Sequence, residues 1–120
     1  MEDDMSKTVY CDVDETLVFW NRPKCIHSIV VEGYILLPNV KQIAKLREHS
    51  ENGAEIVVWS GGGQAWAQTV VRALQLETIV ALCLTKPDIM YDDLPVPMSH
   101  APVRHFPYDP MDHVNCPSEE

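Results

Sequence analysis

Apolar residues fall in short bursts along the chain, and each burst ends on a polar or glycine-rich cluster. Thr8-Val9-Tyr10-Cys11 is rich in β-formers and too short for a helix, so it predicts a buried strand that stops at Asp12-Val13-Asp14-Glu15-Thr16. Residues 17–37 lack a helical period. Two apolar patches there, Ser28-Ile29-Val30-Val31 and Tyr34-Ile35-Leu36-Leu37, flank Glu32-Gly33 and predict a β-hairpin flap. Pro38-Asn39 opens a helix with Val40, Ile43, Ala44 and Leu46 on one stripe, and Asn52-Gly53 ends it. Residues 55–59 predict a second strand, cut off by Ser60-Gly61-Gly62-Gly63. Residues 64–74 then turn helical, with Trp66, Val70, Ala73 and Leu74 on one face. A third strand over 79–84 runs into Thr85-Lys86-Pro87, and a short fourth, Ile89-Met90-Tyr91, ends at Asp92-Asp93. Strands alternating with helices in this way predict an α/β fold around a central parallel sheet. Past Leu94 the periodicity stops, and six of the nine prolines lie between Pro95 and Pro117. The expected organisation is one domain over 1–94 with its flap at about 17–37, then a Pro-rich extended tail over 95–120.

Composition narrows the functional classes. With 120 residues, 46% hydrophobic and 22% charged, the chain is a single globular domain rather than a disordered segment. Nine basic against eighteen acidic residues give a net charge of −9, which repels phosphate backbones and anionic lipid. Membrane binding is therefore not expected, and nucleic acid only as a substrate end. No apolar run reaches the roughly 20 residues that span a bilayer. The acidic Met1-Glu2-Asp3-Asp4 start is unlike a signal peptide, so a cytoplasmic setting is expected. Cys11, Cys25, Cys83 and Cys116 share no C-x-x-C spacing and are expected as reduced thiols. His100, His105, His113 and Cys116 match no standard zinc spacing.

The polar clusters all follow predicted strands. In parallel α/β sheets ligands bind beyond the carboxyl ends of the strands, so Asp12/Asp14, Ser60, Lys86 and Asp92/Asp93 are expected at one edge. Four carboxylates need compensation before a phosphate dianion can approach, and one Mg²⁺ with the Lys86 ammonium supplies +3. An aspartate can attack phosphorus covalently. Ser60 with the Gly61 and Gly62 amides, ahead of a helix, offers donors to phosphoryl oxygens.

These residues resemble a known family. Cys11-Asp12-Val13-Asp14-Glu15-Thr16-Leu17 is similar to the first motif of the haloacid dehalogenase superfamily, a hydrophobic strand followed by D-x-D-x-T. Ser60, Lys86 and Asp92-Asp93 resemble its second, third and fourth motifs, in the family's order. The resemblance implies a Rossmannoid three-layer α/β fold and a phosphatase. It makes Asp12 the nucleophile and a Mg²⁺ ligand, and Asp14 the general acid/base with a carbonyl on the metal. Thr16 and Ser60 then serve substrate and loop geometry, Lys86 the developing charge, and Asp92 and Asp93 the metal. Too few residues separate Asp14 from Ser60, and Ser60 from Lys86, to hold the family's cap domain. The member is thus expected to be minimal and capless, and its Lys86-Pro-Asp-Ile-Met-Tyr-Asp92 string is similar to small bacteriophage-type members.

The expected activity is Mg²⁺-dependent hydrolysis of a phosphomonoester through an aspartyl-phosphate, the substrate being a nucleotide or another phosphorylated metabolite. An open site also suits a phosphoprotein or a nucleic-acid phosphate end, or closure by a second copy of the chain. A non-catalytic scaffold binding a phosphorylated ligand is the reading of another class. Trp20, Arg22 and Lys24 in the flap are candidate substrate contacts, whereas Glu15 is expected to be structural and Trp59 and Trp66 to lie in the core.

Overall fold

The computed structural model describes residues 4–93. Strands β1 (Thr8–Asp12), β5 (Glu55–Ser60) and β6 (Val80–Thr85) form a parallel sheet in the order β1-β5-β6. Helices α1 (Val40–Glu51) and α2 (Gln64–Ala73) make its two crossovers. Strands β2 (Val18–Phe19), β3 (Ile29–Val31) and β4 (Tyr34–Pro38) build a separate antiparallel sheet, ordered β2-β4-β3. This is the expected α/β class with its flap.

Local chemistry accounts for the element ends. Glu32 and Gly33 both have positive φ, 50° and 85°, as a tight two-residue hairpin turn requires. Asn39 caps α1 by accepting from the Gln42 N–H at 3.3 Å, and Gly53 at φ 96° lets the chain reverse after the helix.

Both crossovers step the same way across the sheet, and right-handed connections then place both helices on one face. Register pairs Val9 with Ile56 and Val80, and Cys11 with Val58 and Cys83. These residues pack with Leu46 of α1 and Ala67, Val70 and Val71 of α2 in one core. On the opposite face, Tyr10 and Leu82 are about half exposed. The described residues thus make two layers, where three were expected.

The expected fourth strand also departs from the sequence reading. Ile89, Met90 and Tyr91 are 74%, 71% and 97% exposed and lie outside regular structure. Three consecutive apolar residues carry no directional preference until a neighbour pairs with them. The tail and its His and Cys residues lie outside the described residues. Cys11 and Cys83 are buried free thiols as expected, but Cys25 is disulfide-bonded, which corrects the expectation of reduced thiols throughout. No helix among the described residues is long and apolar enough to cross a membrane.

Candidate active site at the strand ends

Three of the four expected loops converge. Asp12 pairs in register with Trp59, and Ser60 with Thr85, so the ends of β1, β5 and β6 lie side by side. The Lys86 N–H donates to the Ser60 carbonyl at 2.8 Å, which fixes the loop after β6 against the loop after β5.

Beyond β1 the chain folds into a tight loop. The Val13 carbonyl accepts from the N–H groups of Thr16, Leu17 and Val18 at 3.2, 2.8 and 3.3 Å, and Glu15 takes φ 60°. Val13 and Leu17 anchor this loop by full burial. Asp12 is half-buried, and the Thr16 hydroxyl reaches its Oδ2 at 3.5 Å. Asn39, itself buried, donates through Nδ2 to the Thr16 carbonyl at 2.9 Å and so ties the loop to the start of α1.

Asp14 has an unexpected environment. Its Oδ1 accepts two indole N–H groups, from Trp20 at 2.7 Å and Trp66 at 3.1 Å. One oxygen is thereby held by two neutral donors, and neither of these bonds engages the other. Trp66 was expected in the core; it is only half-buried, and so is Trp59. The signal for Trp66 was its place in the first turn after the triple glycine, where a side chain leans back over that loop. A Cβ on Gly62 would lie 3.2 Å from the Trp66 ring and 3.3 Å from Ser60 Oγ, which is why glycine stands there.

Ser60 is fully buried, and its Oγ accepts from the Gly62 N–H at 3.0 Å. It helps shape the glycine loop, in which Gly61 and Gly62 are exposed. The α2 N-terminus is partly satisfied already, because the Gln64 N–H donates to Thr85 Oγ1 at 2.9 Å. Lys86 is exposed, with its ammonium 5.8 Å from the centroid of the Trp59 ring.

The flap cations divide. Arg22 is bound within the flap base, to the Trp20 carbonyl at 2.6 Å and Glu15 at 3.2 Å, with its guanidinium 5.1 Å from the Phe19 ring. Glu15 also accepts from the Trp20 N–H at 2.7 Å and is structural, as expected. Lys24 lies exposed in the loop between β2 and β3.

Asp92 and Asp93 are exposed, and the described residues contain no group of three acidic, histidine or cysteine side chains able to hold a metal together. Asp12 and Asp14 are the carboxylates that stand at the end of β1. Mg²⁺ takes oxygen ligands and keeps several waters, so one or two carboxylates suffice for it. Asp12, half-buried with one light contact, meets that donor chemistry. A shallow depression of about 290 Å³ between α2 and β6, lined by Gln64, Val71, Arg72 and Leu82 among others, contains none of these residues. Comparison with protein-family models, curated proteins and solved structures returns no match.

Proposed function

We propose that this chain is a capless phosphomonoester hydrolase of the haloacid dehalogenase type, with Asp12 as its nucleophile. The observation that carries the reading is the adjacency of Asp12, the glycine loop after Ser60, and Lys86 at the ends of three neighbouring parallel strands.

The chemistry follows from the residues. A carboxylate oxygen of Asp12 forms a bond to phosphorus as the bond from phosphorus to the leaving oxygen breaks. Asp14 gives its proton to that oxygen, and the alcohol departs. A protonated carboxyl still accepts hydrogen bonds on its carbonyl oxygen, so the two indoles on Oδ1 direct the proton to Oδ2. Water then attacks the aspartyl-phosphate, returns a proton to Asp14 and releases inorganic phosphate. The Gly61 amide and the Lys86 ammonium would face the phosphoryl oxygens, whereas the Gly62 N–H, expected to do the same, is spent on Ser60 Oγ. Mg²⁺, which Asp12 would hold together with water, would supply the positive charge that lets a phosphate dianion approach a carboxylate.

The test is a panel of phosphomonoesters with and without Mg²⁺, run on the wild type and Asp12→Asn together. Turnover that needs both Mg²⁺ and Asp12 supports the reading. Undiminished turnover by Asp12→Asn removes it, and tight phospho-ligand binding without any turnover favours the scaffold instead.

A further inference from the structure

Three aromatic side chains gather beside Asp14. The Trp20 and Tyr34 rings meet edge to face at 5.0 Å and 61°, Trp20 and Trp66 lie at 5.9 Å, and Tyr34 and Trp66 at 6.2 Å and 86°. They come from the loop after β2, the start of β4 and the first turn of α2, so the flap and the main domain each contribute. None belongs to the fully buried core, and Tyr34 is 52% exposed.

We propose that Trp20, Tyr34 and Trp66 form the seat of the substrate's leaving group and select a planar aromatic one, a nucleoside. This rests on the reading of Asp14 as the acid. A group that protonates the leaving oxygen stands within hydrogen-bond reach of it. Trp20 and Trp66 are themselves hydrogen-bonded to Asp14, so these rings border the place beside the acid that the leaving group would take. Indole and phenol faces reward stacking by a nucleobase, while a sugar or polyol presents no π surface to them. Two indole N–H groups spent on one carboxylate also fix the ring planes before any ligand arrives, which lowers the ordering cost of binding. The net charge of −9 favours a free mononucleotide over a long polyanion.

The experiment compares a nucleoside monophosphate, ribose 5-phosphate and a phosphorylated oligonucleotide, using the full chain and Mg²⁺. Two readouts are taken: kcat/KM, and quenching of indole fluorescence on titration. The wild type is expected to prefer the nucleoside monophosphate over ribose 5-phosphate and to show saturable quenching by it alone of the two. Base stacking on one ring makes that preference fall about five- to hundred-fold in Tyr34→Ala, and Tyr34→Phe restores it. Turnover confined to the oligonucleotide overturns the assignment of the seat to a free mononucleotide. Equal kcat/KM for nucleoside and ribose phosphates in the wild type overturns the seat and leaves the phosphatase standing. Saturable quenching without turnover of any compound does the reverse, and absence of quenching overturns the seat whatever the turnover.

Discussion

Asn39 joins stability to the site, and its removal has a magnitude that follows from its contacts. The side chain is 1% exposed, accepts from the Gln42 N–H at the start of α1, and donates to the Thr16 carbonyl at 2.9 Å. Asn39→Ala keeps the backbone N–H on the Leu17 carbonyl but loses both side-chain bonds. The lost helix cap costs about 1 kcal/mol. The Thr16 carbonyl, left without its donor in a half-buried place, adds about 1–3 kcal/mol. Together the loss is about 2–4 kcal/mol, or a urea midpoint lowered by about 1.3–2.7 M at a slope near 1.5 kcal/mol/M. Asn39→Ser retains an acceptor for the cap and should lose only the second part. Asn39→Asp keeps the cap yet turns a carboxylate toward the carbonyl, and should match the alanine variant at neutral pH. Urea unfolding followed by far-ultraviolet circular dichroism measures all three. A loss below about 0.5 kcal/mol in Asn39→Ala would refute the reasoning.

Other residues give independent tests. Trp66→Phe keeps the ring but removes one donor from Asp14, so kcat should fall about three- to tenfold with KM nearly constant; equal loss in KM alone would show that the indole N–H has no part in the chemistry. Burial, with the Asp12 charge adding to it, pushes the Cys11 thiol up to about 12. Native protein at mildly alkaline pH should therefore leave Cys11 unalkylated until it unfolds, and rapid labelling read by peptide mass would contradict that. Asp4 accepts from Lys7 at 3.2 Å and lies 2.7 Å from His49 Nδ1, and the His49 hydrogen bond above all holds its carboxyl below 3.8. A lowered carboxyl stabilises the fold above pH 3.8, and that contribution is lost as pH falls through the folded value. Asp4→Asn should flatten this acid limb in thermal melts between pH 5 and pH 2, and an unchanged limb would assign it to other groups.

Much of the fold was readable because short-range rules govern it. The β-rich bursts before residue 86, the Glu32-Gly33 turn, the Asn39 cap and the Gly53 stop each depend on residues a few positions apart, and they form where the sequence places them. The parallel pairing that sets Asp12, Ser60 and Lys86 together follows from strand–helix alternation and the handedness of crossovers. What was illegible depends on distant partners. Ile89-Met90-Tyr91 has strand composition, but pairing decides its state. Trp66 reads as a core residue on any helical wheel. Only the flap's return over the α2 N-terminus turns its N–H, with that of Trp20, onto Asp14. Ser60 likewise ends a strand like a ligand-facing residue, and the structure adds what the sequence did not show, its full burial and the Gly62 N–H on its Oγ. Arg22 looks like a free cation in the flap until Glu15, five residues into the first motif, is seen to hold it.

The covalent step at Asp12 is the claim on which the enzyme reading rests. Wild type mixed with a turned-over phosphomonoester and Mg²⁺, quenched in acid within one turnover, should yield the peptide containing Asp12 heavier by one phosphoryl group, and Asp12→Asn should yield none. Steady turnover with no phosphoryl group on that peptide would contradict the account.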